Sequence, residues 1–186
     1  MAAPETYAAV RNHLQTFFAG HKYEEHFWTV GPTWKVPSDF RVVEFSPGPQ
    51  CAHWVYASIG AWEGQKDSLL EFFIVAPDQD LRHVELITMT AWYHRSLQLG
   101  IGHTFPIGER WLPKSSCEFM LVSLPYPFGP NLEICQIPDG HIHVCWLLPI
   151  TRAEREYKAR EGLEALEQRF DACALEYWVP DRPSAV

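Results

Sequence analysis

His141, His143 and Cys145 stand at every second position of one apolar run. Alternate residues of a β-strand share a face, so the spacing predicts three aligned side chains. Imidazole and thiolate are good ligands for zinc or copper, and His103 or His53 can supply a fourth group. Packing is the plainer alternative. The opposite face of the same run carries Ile142, Val144, Trp146 and Leu148 and reads as core, which leaves the His–His–Cys face half-exposed or under a helix or loop. One strand also lacks the paired motif of a zinc site. The expectation is therefore no cofactor, with a metal held by His141, His143, Cys145 and His103 as the alternative.

Other reactive types are scattered. Cys51-x-His53 offers a thiol beside a base, but two residues on one face lack the orienting third group of a triad. Ser115-Ser116-Cys117-Glu118 has no Gly-x-Ser-x-Gly elbow. Gly100-Ile101-Gly102 has two glycines and follows a helical pattern, unlike a dinucleotide loop, and there is no P-loop sequence. Asp78 with Asp80, and Glu24 with Glu25, read as helix caps or solvated groups. No enzyme is expected. Of the eight tryptophans, Trp54 and Trp146 lie in strand-like runs, and Trp28, Trp34, Trp62, Trp111 and Trp178 fall in loops or near ends. Tryptophan is enriched where proteins meet. Trp62 and Trp111 are the candidate partner anchors, against the alternative that they roof the core.

The elements that must position these residues follow from periodicity. Tyr7 to Phe18 recurs at helical spacing and stops at Gly20. Residues 21–40, with Gly31-Pro32 and Pro37, read as loop with a possible short strand. Strands are predicted over 40–45, 53–59 and 69–75, the last apolar enough to be central and covered on both faces. A helix over 80–99 is capped by Asp78 or Asp80, and a short strand covers 119–124. A hairpin joins 132–137 to 141–148 through Asp139-Gly140. That turn pairs Pro138 with His141, Cys135 with Val144 and Cys145 with Ile134, so the two cysteines take opposite faces and do not bond. Thr151-Arg152-Ala153-Glu154 fits a capping box opening a last helix with Gly162 in its middle. Residues 174–186, holding Pro180 and Pro183, are expected to trail over the surface.

The 186 residues suit one domain, 1–186, with its core at about 7–173. The 15 Lys plus Arg against 23 Asp plus Glu give a net charge of −8, which argues against nucleic acid or an anionic membrane as partner and leaves a basic protein open. No apolar run is long enough for a membrane helix and no leader pattern is seen, so a cytoplasmic protein is expected. Five scattered cysteines fit reduced thiols. The fold class expected is α+β, a mixed sheet flanked by helices.

The passage Val144 to Thr151, ending in Pro149-Ile150-Thr151, then Ala153-Glu154, Tyr157, Gly162 and Leu163, resembles the end of the Suppressor-of-fused domain. His13 to Phe18 resembles that family's opening helix. Ala57-Ser58-Ile59-Gly60 stands where the family has a Thr-Ser-Gly-type turn, with Ile59 intervening. Leu86 to Tyr93 and Gly100 to Pro106 resemble its middle helix and the segment after it. The resemblance spans roughly residues 10–172 and implies an α/β sandwich without established catalytic activity. Animal members carry a second domain and bind a transcription factor whose peptide docks between the two. This chain resembles the single-domain bacterial type, some of which are thought to be immunity proteins. The resemblance implies a protein-interaction domain that neutralises a toxin, or a subunit of a regulatory complex. It carries over no binding residue.

Overall fold

The computed structural model describes residues 4–31 and 33–186; Pro32, part of the predicted 21–40 loop, and residues 1–3 lie outside them. Helix α1 spans Pro4–Phe17, and its residues Tyr7, Val10 and Leu14 are buried. Strand β1 (Tyr23–His26) and a 3-10 turn (Thr33–Lys35) follow, then β2 (Arg41–Phe45), β3 (Trp54–Ile59) and β4 (Leu70–Ala76). Helix α2 runs Arg82–Leu97, and the Asp80 carboxylate accepts from the Arg82 N–H at 2.8 Å just before it. Strands β5 (Thr104–Pro106) and β6 (Cys117–Ser123) precede a short helix α3 (Pro130–Glu133), β7 (Ile134–Ile137) and β8 (Gly140–Thr151). Helices α4 (Arg152–Glu161) and α5 (Leu163–Ala172) close the chain.

The eight strands form one mixed sheet in the order β1-β2-β3-β4-β8-β6-β5, with β7 also on β8. Strand β8 is the spine. It runs parallel to β4 at one flank, pairing Leu70 with His143 and Phe73 with Trp146. Its first residues pair with β7 and its later ones with β6, both antiparallel. Helices cover both faces. Val10 and Leu14 of α1 and Leu166 and Phe170 of α5 pack with Phe73, Val144, Trp146 and Leu148 on one side. Val84, Ile87 and Ala91 of α2 pack with Phe72, Ile74, Cys145 and Leu147 on the other. Every residue of β4 is consequently buried, as its unbroken apolar run predicts. The fold is the expected α+β sandwich. Among the described residues no helix is long and apolar enough to cross a membrane.

Four local expectations are corrected. The hairpin turn holds Pro138-Asp139, not Asp139-Gly140, because Ile137 pairs with Gly140. Proline suits the first central position of a turn, and glycine its last. The register moves by two residues, placing Cys135 opposite Ile142, so parity is kept and Cys135 and Cys145 still face different cores. The strand predicted from Leu132 starts only at Ile134, because Pro130 opens a helical turn first.

The third correction lies at Gly162, which ends α4 rather than sitting inside one helix. Its backbone takes φ 94°, ψ 169°, a conformation almost confined to glycine. The break lets α5 turn back onto the sheet, where Leu166 and Phe170 are buried. The capping box at the start of α4 forms as its residue types predict. The Thr151 hydroxyl accepts from the Glu154 N–H, and the Glu154 carboxylate accepts from the Thr151 N–H at 2.8 Å.

The fourth correction concerns the C-terminal segment, which is anchored rather than trailing. Arg182, 4% exposed, forks onto Glu154, 0% exposed, with Nη1–Oε1 at 2.6 Å and Nη2–Oε2 at 2.8 Å. The Ala185 N–H donates to the same carboxylate at 2.9 Å, and Arg182 also donates to the Pro149 carbonyl at 3.0 Å. Burial pushes the Glu154 carboxyl up, but Arg182 and the Ala185 and Thr151 amides outweigh it and hold it below its ordinary value. Charges this deep persist only when paired and hydrogen-bonded.

A Cβ at residue 162 meets open space, so the cost of a side chain there is the backbone conformation alone. Gly162→Ala is expected to lower stability by about 1–3 kcal/mol in urea unfolding. A gain of about 1 kcal/mol, the effect of replacing glycine within a continuous helix, contradicts the break.

Candidate functional site

The structure disperses most of the residues that the sequence singles out. The imidazoles of His141 and His143 meet at 3.2 Å, and His143 Nδ1 lies 3.3 Å from Glu133 Oε1. Cys145 turns into the α2-side core with 1% exposure, where burial first and Glu133 second push its thiol up to about 12. It is a packing residue at neutral pH. His103 is exposed and its Nδ1 accepts from the Gly100 N–H at 3.2 Å, while His53 stacks on Trp178 at 4.7 Å. The predicted four-residue metal set is not assembled. Among the described residues the one group of metal-type ligands within 4.8 Å of one another is Glu24, His26 and Glu44. There β1–β2 pairing sets Glu24 across from Glu44, but Gln79 donates to Glu44 at 2.6 Å and His26 lies 3.2 Å from it, so the Glu44 carboxylate already has partners. Glu25, read as solvated, is ion-paired with Arg11 at 2.6 Å.

Trp62 and Trp111 lie inside, 9% and 1% exposed. Trp62 packs on the Tyr7 ring at 5.6 Å, and Trp111 meets His83 edge-on at 6.1 Å. The geometry places both in the roof of the core. The most exposed tryptophan is Trp34, at 75%, on the 3-10 turn.

A cleft of about 550 Å³ lies between β8 and α5. Trp146 and Leu148 of β8 form its floor, and Phe170 of α5 one wall. The chain after α5 adds Leu175 and Tyr177, whose ring meets Trp146 edge-on at 4.7 Å. Tyr126, 59% exposed, stands on the opposite lip and donates its hydroxyl to Glu167 at 3.2 Å. Glu167 and Asp171, one helical turn apart on α5, make the rim acidic. Neither has an ion-pair partner among the described residues. Partial burial pushes the Glu167 carboxyl above its ordinary value, with Asp171 and Glu164 adding to the shift against the Tyr126 hydrogen bond. An apolar aromatic floor under a polar rim is the usual composition of a protein-binding patch.

The Ala57–Gly60 turn has a structural task. Glu71, fully buried on β4, accepts from the Ser58 hydroxyl, from the Gly60 N–H at 2.5 Å and from the Ala61 N–H at 3.3 Å. The Ser58 hydroxyl oxygen accepts in turn from the Phe72 N–H at 2.8 Å. Gly60 has φ 106°, and a Cβ there would lie 2.7 Å from the Tyr7 ring. Burial pushes Glu71 up to about 7, with Ser58 and the turn amides opposing it. A carboxyl raised from 4.5 to about 7 in the folded state contributes stability below pH 4.5 that is lost as pH rises through 7. Between pH 4.5 and 7, Glu71→Gln is therefore expected to gain stability relative to the parent by up to about 3 kcal/mol. Denaturant midpoints at a pH series measure this. A constant difference between the two proteins contradicts the raised carboxyl.

The family profile described as Suppressor of fused protein (SUFU) matches residues 37–183. A SUFU homolog from Neisseria gonorrhoeae has a crystal structure that superposes with a TM-score of 0.86 at 33% identity, over 99% of this chain and 98% of that one. The Sufu–Fu complex structure gives 0.73 at 13% identity, over 99% and 93% of the two chains. Drosophila Suppressor of Fused gives 0.70 at 14% identity, over 98% of this chain and 51% of that protein. A search of curated proteins finds no match. The profile covers well over half of the sequence and the Neisseria homolog matches it end to end: the chain belongs to the Suppressor of fused family.

Proposed function

We propose that this chain is a cytoplasmic, non-catalytic binding domain that holds a basic protein partner, and that the partner is a toxin it neutralises as an immunity protein. The observation that carries the reading is the cleft between β8 and α5, apolar at its floor and with an acidic rim that has no ion-pair partner among the described residues. Family membership supports it, since a protein of this fold is known in the Sufu–Fu complex. The net charge of −8 supports a basic partner, because opposite fields speed encounter and suppress competitors.

The test is co-expression of the tagged chain with the products of its flanking genes, followed by affinity purification and growth assays. The expected outcome is that one basic product co-purifies at 1:1 and arrests growth only when expressed without this chain. A co-purifying product that is harmless alone keeps the binding domain and removes the immunity role. Failure of every flanking product to co-purify contradicts the reading.

A further inference from the structure

A separate group of side chains lies at the β1 edge of the sheet, on the face that α2 covers, where Val42 and Tyr56 are its buried neighbours. Antiparallel pairing sets Glu24 of β1 directly across from Glu44 of β2, and His26, two residues on, shares their face. Like charges directly opposite one another are destabilising, so the pair asks for a cation. Glu25 has Arg11, whereas among the described residues neither Glu24 nor Glu44 has a Lys or Arg partner. Glu44 is only 4% exposed, and a carboxylate this deep persists when its charge is met. His26 Nε2 lies 3.2 Å from Glu44 Oε2, yet it is buried and makes no hydrogen bond. Ring nitrogens of His83 and His94 are also buried without a bond, but only that of His26 has a carboxylate oxygen within ion-pair distance. The unpartnered nitrogen therefore points at the two carboxylates.

We propose that Glu24, His26 and Glu44 bind a zinc ion, which ties the edge strand β1 to β2. Their three ligand atoms all lie within 4.8 Å of one another. Two ligands of a tetrahedral zinc, each at about 2.1 Å, stand about 3.4 Å apart, close to the 3.2 Å between His26 and Glu44. Both partners of Glu44 suit the assignment. His26 is its co-ligand at Oε2, and Gln79 donates to Oε1 at 2.6 Å, the kind of outer hydrogen bond that orients a ligating carboxylate. The two carboxylates balance the charge of the ion. An imidazole beside them favours zinc over calcium and magnesium, which take oxygen ligands. Glu24 is exposed, which gives the ion a path from solvent and leaves its fourth position to water. The site stands apart from the β8–α5 cleft and does not rest on the binding function proposed for it.

The probe is zinc chloride, titrated by calorimetry into the EDTA-treated full chain carrying Cys173→Ser, which removes the exposed thiol. The expected result is one ion per chain. Glu24→Gln, Glu44→Gln and His26→Ala are each expected to weaken zinc binding at least tenfold, and Gln79→Ala about tenfold. Glu24 is on the surface, so its variant keeps the test valid if the loss of buried Glu44 unfolds the chain. Replacing the other adjacent imidazoles, His141→Ala with His143→Ala, is expected to leave the affinity unchanged. Zinc is also expected to slow hydrogen exchange of the β1 amides that pair with β2. Absence of zinc binding, equal affinity of the Glu24→Gln and parent chains, or loss of binding in the His141 and His143 variant overturns the proposal and leaves His26 and Glu44 as a simple ion pair. Tighter binding of magnesium than of zinc overturns it as well.

Discussion

The carboxylate of Glu154 joins three parts of the chain that are distant in sequence. It caps the first turn of α4 through the Thr151 N–H, receives the fork of Arg182, and accepts from the Ala185 N–H. All of this happens at the end of β8, the strand on which the sheet is hung. Removing one member of such a set leaves the other charge buried and unpaired, typically costing several kcal/mol. The arrangement fixes the direction of α4 as it leaves the sheet and brings the C-terminal segment back over the same face. Tyr177 on Trp146 and Trp178 on His53 complete that docking. The ion pair anchors the far end of the segment that lines the cleft, without itself touching the cleft.

Two further constraints shape the site from below. Strand β8 is buried almost along its whole length, so the side chains it offers to a ligand are apolar, with Trp146 and Leu148 as the floor. Gly162 breaks the last helix and turns α5 across the sheet, so its acidic face comes to the lip. The chemistry of the site follows from this division: the sheet supplies a dry surface and the helix supplies charge. The Glu71 knot plays the matching structural part on α1's side, where a turn is held by a buried carboxylate and roofed by Tyr7.

Periodicity and turn chemistry made the local parts of this fold legible. The unbroken apolar run of β4, the helical stripe of α1 and the capping box of α4 each report on contacts within a few residues, and each formed as its residue types predict. The errors cluster where a distant partner decides. Nothing near Arg182 in the sequence signals Glu154, so the tail reads as surface. Gly162 is compatible with a tolerated helical glycine until the burial of Leu166 and Phe170 requires a turn. Trp62 and Trp111 sit in loop-like sequence, and whether a loop folds over the core or stands off it is settled by packing from elsewhere. The cleft was illegible for the same reason: its lining comes from β6, β8, α5 and two loops, and no single segment shows the combination. The alternating His141, His143 and Cys145 were legible as a shared strand face, but the exposure of His141, the half-burial of His143 and the core position of the thiol depend on where β7 and α2 lie.

The most direct measurement of the central claim is hydrogen exchange in an Arg182→Met variant. If the Glu154–Arg182 pair holds the tail as the wall of the cleft, amides that depend on it, Leu175, Tyr177 and Ala185, exchange much faster in the variant, while those of β4 and α1 keep their protection. Unchanged protection of Leu175, Tyr177 and Ala185 would contradict it.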